Sequence, residues 1–328
     1  VKEATPGAEN KNQSSSDRYV AESVSNGFGS LDYDYLEGSE NQNPVFIFPG
    51  YPLGTSALRP FAAALNDRGR EVIAPNRIEL KSASGKSTIN KEAELFARVI
   101  ENEGLQHIPL DIVAHSYGAL LFEEVAKLAA ERGWTCFKEE RGAHAVLVAP
   151  AGTNDQEKIR KFVPRYVRFF QLGAPRDKVL DKDKVLFKEN TKVILGDLRK
   201  TVGEVKPILT DKINYINLGK IASKPYVLEY PQDSLFPYKV MDKTIFPEGL
   251  EGDESLVKSV STPVELSEDL GKTLKQMDGD KERYYRTSHT ARHDDLVFNP
   301  EATAEAFFKV IEDPDDRLDR LRQAAKNI

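Results

Sequence analysis

A serine hydroxyl becomes a nucleophile only when a base takes its proton and an acid orients that base, so three residue types must occur where a fold can gather them. The stretch "LDIVAHSYGALLFEEVAKL", Leu110 to Leu128, supplies the first. Ser116 stands where a short apolar run gives way to a helical pattern, with Ala114 two residues before it and Gly118 two after. The pattern for a nucleophile held on a sharp strand-to-helix turn is G-x-S-x-G, and here alanine replaces the first glycine. Small residues on both flanks let neighbouring backbone approach. The turn also aims the unpaired N–H groups of a helix N-terminus at charge forming on a substrate oxygen. The competing account is a plain strand-to-helix junction with a buried serine.

Five histidines are available as the base. His107 falls on a loop before a strand, His115 flanks the serine but is expected to point to the other side, and His144 opens a strand. His289 and His293 lie in the loop of "TSHTARHDDLVFNPEATAEAFFKVI", after the last expected strand. Loops at the carboxyl ends of parallel strands are where sites form in open α/β sheets. His293 is the better base because "HDDLVFNPE" leads straight into the final helix, with His289 the alternative. For the acid, Asp233 in "YPQDSLFP" ends the preceding strand and keeps the chain order Ser, Asp, His. Asp155, after "VLVAPAGTN", competes with it, and either aspartate also has the ordinary explanation of a turn residue.

From Gly29 onward strand-like and helix-like stretches alternate, and these must position the candidates. "SLDYDYL" alternates apolar and polar residues as a half-buried strand does, while "VFIF" (Val45 to Phe48) suits a strand covered on both faces. Helical spacing follows in "TSALRPFAAALNDRG" through Leu58, Phe61, Ala62 and Leu65, with Thr55 or Ser56 as N-cap and Gly69 as the stop. The strand "EVIAP", the helix "NKEAELFARVIENEG" and the strand "LDIVA" come next. A long helix after Ser116 ends at Gly133, and "AHAVLVAP" is another strand. Tyr226 to Tyr230 and "ERYYRTS" are the last expected strands, and "PEATAEAFFKVIEDP" is the final helix. Such alternation indicates βαβ units around a mostly parallel sheet.

Between Thr153 and Gly219 the pattern is helical without a convincing strand. In "QEKIRKFVPRYVRFFQLG", Ile159, Phe162, Val163, Tyr166 and Phe170 share a face opposite Lys158, Lys161, Arg165 and Arg168. Packing of that helix is favoured over membrane contact, although its basic face fits an anionic lipid surface. Residues 237 to 282 are polar and irregular, with a helical piece near "SEDLGKTLKQM".

The 328 residues carry 40% hydrophobic and 30% charged side chains and a net charge of −6, a balance that points away from nucleic acid. No run approaches the ~18 apolar residues of a bilayer span. Cys136, alone in the chain, excludes an internal disulfide framework and fits a reducing, cytoplasmic compartment. The sequence starts at Val1 rather than methionine, which leaves a removed leader and a secreted form open. Residues 1–26 read as a flexible polar tail. Two decoys fall away. "SASGKST" has Leu80 where a phosphate-binding loop needs glycine, and the histidines show no metal-ligand spacing. No metal or cofactor is expected, and oligomeric state is not legible.

Taken in order, "FIFPGYPLG", "VAHSYGA", "YPQDSLFP" and "RHDDLVFNPE" resemble the α/β-hydrolase fold family, from about residue 28 to 312. The resemblance implies a mostly parallel central sheet flanked by helices, with a core of 27–152 and 221–328 and an inserted helical cap over 153–220. It also implies that Ser116 is the nucleophile, His293 the base and Asp233 the acid, and that the backbone N–H groups of Tyr51 and Tyr117 form an oxyanion hole. The implied activity is hydrolysis of a carboxylic ester, or less readily an amide, of a small to medium apolar compound. Pro49 replaces the histidine of the family's His-Gly pair, and Ala114 the first elbow glycine. The 60 residues from Asp233 to His293 exceed one helix and one strand, which implies an insertion over 240–280 that could wall the substrate pocket.

Overall fold

A computed structural model describes residues 18–27, 29–39, 41–50, 53, 55–76, 81–82, 89–151, 213–228, 259–261, 295–298 and 300–312. The described chain opens with a hairpin of β1 (Val20–Asn26) and β2 (Gly29–Leu36), followed by β3 (Val45–Phe48), α1 (Thr55–Asn66), β4 (Val72–Pro75) and the short β5 (Lys81–Ser82). Next come α2 (Ile89–Asn102), β6 (Asp111–His115), α3 (Tyr117–Glu131), a 3-10 turn (Glu139–Arg141) and β7 (His144–Val148). The described chain closes with α4 (Tyr215–Ile221), β8 (Tyr226–Leu228), β9 (Ser259–Ser261), α5 (Asp295–Phe298) and α6 (Pro300–Glu312).

The strands form one sheet in the order β1-β2-β4-β3-β6-β7-β8-β9, with β5 beside β2. Only the β2 pairings and the β1–β2 hairpin are antiparallel; from β4 through β9 every pairing is parallel. Parallel strands need crossover helices, and those helices cover both faces. Alternation along each strand therefore feeds two cores. Phe46, Phe48, Ile112, Ala114, Leu147 and Val227 face α2, α3 and α4. Val45, Ile47, Val113, Val146 and Leu228 face α1, α5 and α6. The first core is aromatic at its centre: Phe48 stacks on Phe96 of α2 at 5.5 Å between ring centroids and meets Phe122 of α3 at 5.4 Å. Pairs at this spacing add to what burial alone contributes.

Helix α1 carries an internal proline, Pro60, on its exposed side, while Leu58, Phe61, Ala62 and Leu65 are buried. Helix α3 stops as its sequence indicates, with Gly133 in the left-handed region at φ 71°.

At the amino ends of the parallel strands lies a buried ionic cluster. Asp111, the first residue of β6, pairs with the Arg70 guanidinium, meets His144 Nδ1 at 2.8 Å and accepts from Asn43 Nδ2 at 3.2 Å. Burial lowers the Arg70 pKa to about 10, a pull that nearby Glu312 opposes.

Three expectations change. The tail assigned to 1–26 includes β1, an edge strand that buries only Val24 and is held by backbone pairing to β2, so its polar sequence hides it. The helical stretch ending at 220 does not stop at the core boundary. Ile213 and Leu218 are buried in the first core, and Glu123 of α3 accepts the Asn214 backbone N–H at 3.2 Å, so the chain from 213 onward packs as core. Within 237–282, expected to be irregular, β9 extends the sheet beyond β8, and three residues are too few to show a period. The strand expected in "ERYYRTS" and the amphipathic basic helix lie outside the described residues.

Candidate active site

The parallel strands run in one direction, so their carboxyl ends share one edge of the sheet. Register makes that edge level: Phe48 is opposite Ala114, His115 opposite Val148, and Val148 opposite Leu228. Ser116 is the first residue beyond β6 on this edge and the N-cap of α3, so strand passes to helix with no linker. The backbone pays in conformation. Ser116 has φ 52° and ψ −119°, a region that non-glycine residues rarely enter and that costs roughly 1–3 kcal/mol.

A second strained residue stands beside it. Ala149, just past β7, has φ 44°; among the described residues these two alone are non-glycine with positive φ. Paired hydrogen bonds join the two bends. The Ser116 N–H donates to the Val148 carbonyl at 2.9 Å, and the Ser116 carbonyl accepts from the Ala151 N–H and the Ala119 N–H, both at 3.0 Å. The exit of β7 thereby grips the turn from below and over-determines its geometry.

Close packing explains the small neighbours. A Cβ on Gly118 would overlap the Phe48 carbonyl and lie 2.6 Å from its carbon and 3.0 Å from Pro49 O, so only glycine lets α3 ride on the exit of β3. A Cβ on Gly50 would come within 2.5 Å of His115 Nδ1 and 3.1 Å of Ser116 Cβ, which puts the segment after β3 directly against the turn. Ala114, by contrast, is fully buried with its side chain in the first core, where a methyl group is accommodated. The departure from the elbow pattern is harmless here.

Electrostatically, the first turn of α3 places backbone N–H groups, those of Tyr117 and Gly118 among them, at the positive end of the helix dipole. Ser116 itself is buried, and its side chain does not serve as the helix cap. Tyr117 is also buried, and its hydroxyl donates to Glu92 Oε2 of α2 at 3.2 Å.

Of the residues singled out from the sequence, Ser116 and Tyr117 meet at this edge, while Tyr51, Asp155, Asp233, His289 and His293 lie outside the described residues. The described chain leaves the edge at Leu228, before Asp233, returns in β9 at Ser259–Ser261, and is described again from Asp295, two residues after His293. There α5 packs on α1 through the buried Leu296. His107 lies near Thr135 Oγ1 at 3.3 Å, and His144 belongs to the amino-edge cluster. His115, expected to point away, has its ring against Gly50. Two residues had no part in the expectations: Ala149, whose strain leaves no trace in sequence, and Glu92. The latter carried a signal, a carboxylate between Ile89 and Phe96 on the apolar stripe of α2. Among the described residues no group of three or more His, Cys, Asp or Glu could hold a metal ion.

No protein-family model matches the sequence, and no curated protein matches it significantly. Solved structures do match. A bacterial membrane phospholipase A superposes with a TM-score of 0.57 at 15% identity, covering 90% of this chain and 87% of that one. A carboxylesterase from Bacillus subtilis gives 0.51 at 14% identity over 82% and 91% of the two chains. A bromoperoxidase from Bacillus anthracis gives 0.51 at 15% identity over 74% and 90%. With the sheet order and the strained turn after β6, these decide the architecture. The chain has the α/β-hydrolase fold. At such identities the likeness speaks for the fold, and that fold hosts several chemistries among these neighbours. Among the described residues no helix is long and apolar enough to cross a membrane.

Proposed function

We propose that the protein is a serine hydrolase that cleaves a carboxylic ester, or less readily an amide, of a small to medium apolar substrate through an acyl-enzyme intermediate. The observation that carries this is the backbone of Ser116. A φ of 52° on a non-glycine residue, gripped from β7 and set at a helix N-terminus, is strain that a plain strand-to-helix junction does not need. The esterase and phospholipase among the structural neighbours favour the same chemistry.

In this scheme the Ser116 hydroxyl attacks the carbonyl carbon while His293 takes its proton. The Tyr51 and Tyr117 backbone N–H groups receive the oxyanion. His293 then protonates the leaving group, and Asp233 holds the imidazole in the tautomer that accepts from serine. Water, deprotonated by His293, releases the acyl group and restores the serine. Asp155 is the alternative acid and His289 the alternative base. Support for His293 comes from α5, which anchors the chain just past it on α1, and for Tyr51 from Gly50, whose backbone lies against Ser116. The helical insertion, from 153 to about 212, would cap the substrate.

A fluorophosphonate probe tests this. Labelling of the intact protein at Ser116, lost in Ser116→Ala and in His293→Ala, is the expected result. Labelling that persists in Ser116→Ala would reject the nucleophile, and an intact protein that takes no label would favour a ligand-binding role for the same scaffold.

A further inference from the structure

Glu92 is a carboxylate with 1% of its surface exposed, set in the first turn of α2, where the helix dipole favours negative charge. Placing a carboxylate in an apolar core is costly unless it is hydrogen-bonded, and a leucine at this point of the stripe would pack without that cost. What the carboxylate holds is the hydroxyl of Tyr117, whose ring is equally buried in the same core. Tyr117 is the first residue of α3, and its N–H lies in the helix's first turn beside Ser116.

We propose that Glu92 is a positioning residue: through the Tyr117 side chain it pins the start of α3 to α2 and so fixes the aim of the Tyr117 N–H at the developing oxyanion. The catalytic half of this rests on the serine-hydrolase assignment above; the mechanical half does not. Other ties to the turn act on the backbone of Ser116 from β7, at Val148 and Ala151. None of those reaches the far side of the helix start. The Glu92–Tyr117 bond, at 3.2 Å, ties that side to α2, and a hydrogen bond constrains direction as well as distance. Direction matters because an oxyanion donor works only within a narrow range of distance, about 2.7–3.1 Å, and a displacement near 1 Å costs on the order of 10²-fold in rate.

The test uses the full chain with Tyr117→Phe, which keeps the ring, and with Glu92→Leu and Glu92→Gln. Glutamine keeps an oxygen that accepts from tyrosine. Two readouts are taken on each: amide hydrogen exchange of the peptide spanning 115–121, and kcat and KM on a p-nitrophenyl ester. Expected are faster exchange confined to 115–121 in Tyr117→Phe and Glu92→Leu, a kcat about tenfold lower with KM unchanged, and recovery of both in Glu92→Gln. Unchanged exchange at 115–121 would overturn the pinning whatever the enzyme does. Faster exchange with wild-type kcat, in a protein that hydrolyses the ester, would overturn the role in catalysis while leaving the hydrolase assignment intact. Faster exchange in a protein with no esterase activity and no fluorophosphonate label would establish the tether and overturn the hydrolase assignment instead.

Discussion

Replacing Gly118 with alanine adds one carbon where there is no room for it. The new Cβ would stand 2.6 Å from the Phe48 carbonyl carbon and 3.0 Å from Pro49 O, whereas carbon atoms in contact sit about 3.5–4.0 Å apart. Both obstacles are backbone, so no rotamer relieves them, and the start of α3 must lift from the exit of β3 by about 1 Å. Two costs follow. Overpacking of this kind destabilises by roughly 1–3 kcal/mol or more. The lift also carries the Tyr117 N–H and Ser116 away from the segment around Gly50, and a 1 Å error in a reacting constellation lowers kcat by about 10²-fold. Differential scanning fluorimetry should show Tm lower by about 5 °C. At a temperature where the variant is still folded, hydrolysis of p-nitrophenyl butyrate and the rate of fluorophosphonate labelling should fall together by about two orders of magnitude. A variant with unchanged Tm and labelling rate would refute the claim that α3 rides on β3 at this glycine.

Strain at Ser116 makes a separate prediction. Ser116→Gly and Ser116→Ala should both abolish labelling, but the glycine variant should resist urea better than the alanine variant by about 1 kcal/mol, strain relief outweighing the backbone entropy that glycine adds. Equal midpoints would argue that the turn is relaxed. At the opposite edge, Asp111→Asn removes the carboxylate paired with the buried Arg70 and should cost about 3 kcal/mol in denaturant unfolding, with kcat of the folded fraction little changed. A loss below about 1 kcal/mol would mean that the cluster contributes little. Burial pushes the Cys136 thiol up to about 12 from an ordinary value of 9.0. The unfolded chain therefore gives up this proton first, and stability should fall as pH rises from about 9 toward 12. Tyr35, pushed up to about 12 by burial and then by the Glu71 charge, acts in the same direction. Urea midpoints at pH 8 and pH 10 measure the fall. Cys136→Ala should reduce it without removing it, and an identical fall in both proteins would refute the assignment.

What could be read from sequence was whatever a period or a residue type reveals locally. The runs at Val45–Phe48 and Val72–Pro75 and the stripes of α1, α2 and α6 announce themselves because burial on one or both faces dictates their apolar positions. The turn at Ser116 was legible for a similar reason: Gly118 must be small, and the turn must fall between a strand and a helix. Features held by backbone pairing were not. β1 and β9 owe their place to neighbouring strands and carry little pattern of their own. The bend at Ala149 is set by partners distant in sequence, and an alanine gives no warning of it. Glu92 lies between these cases, being visible as a misfit on its stripe but without a stated partner until α3 is placed beside it.

The division of the interior into two cores bears on how the chain is made. α2 and α3 follow closely on the strands they cover, so the face holding Phe46, Phe48 and Ile112 can close while synthesis continues. The other face depends on α6, whose Phe307, Phe308 and Val310 arrive only after residue 300. Until that helix emerges from the ribosome, Val45, Ile47 and Val113 have, among the described residues, α1 and the short α5 for cover. A nascent or truncated chain ending before Pro300 exposes an apolar face of parallel strands, the kind of surface that recruits chaperones and proteases.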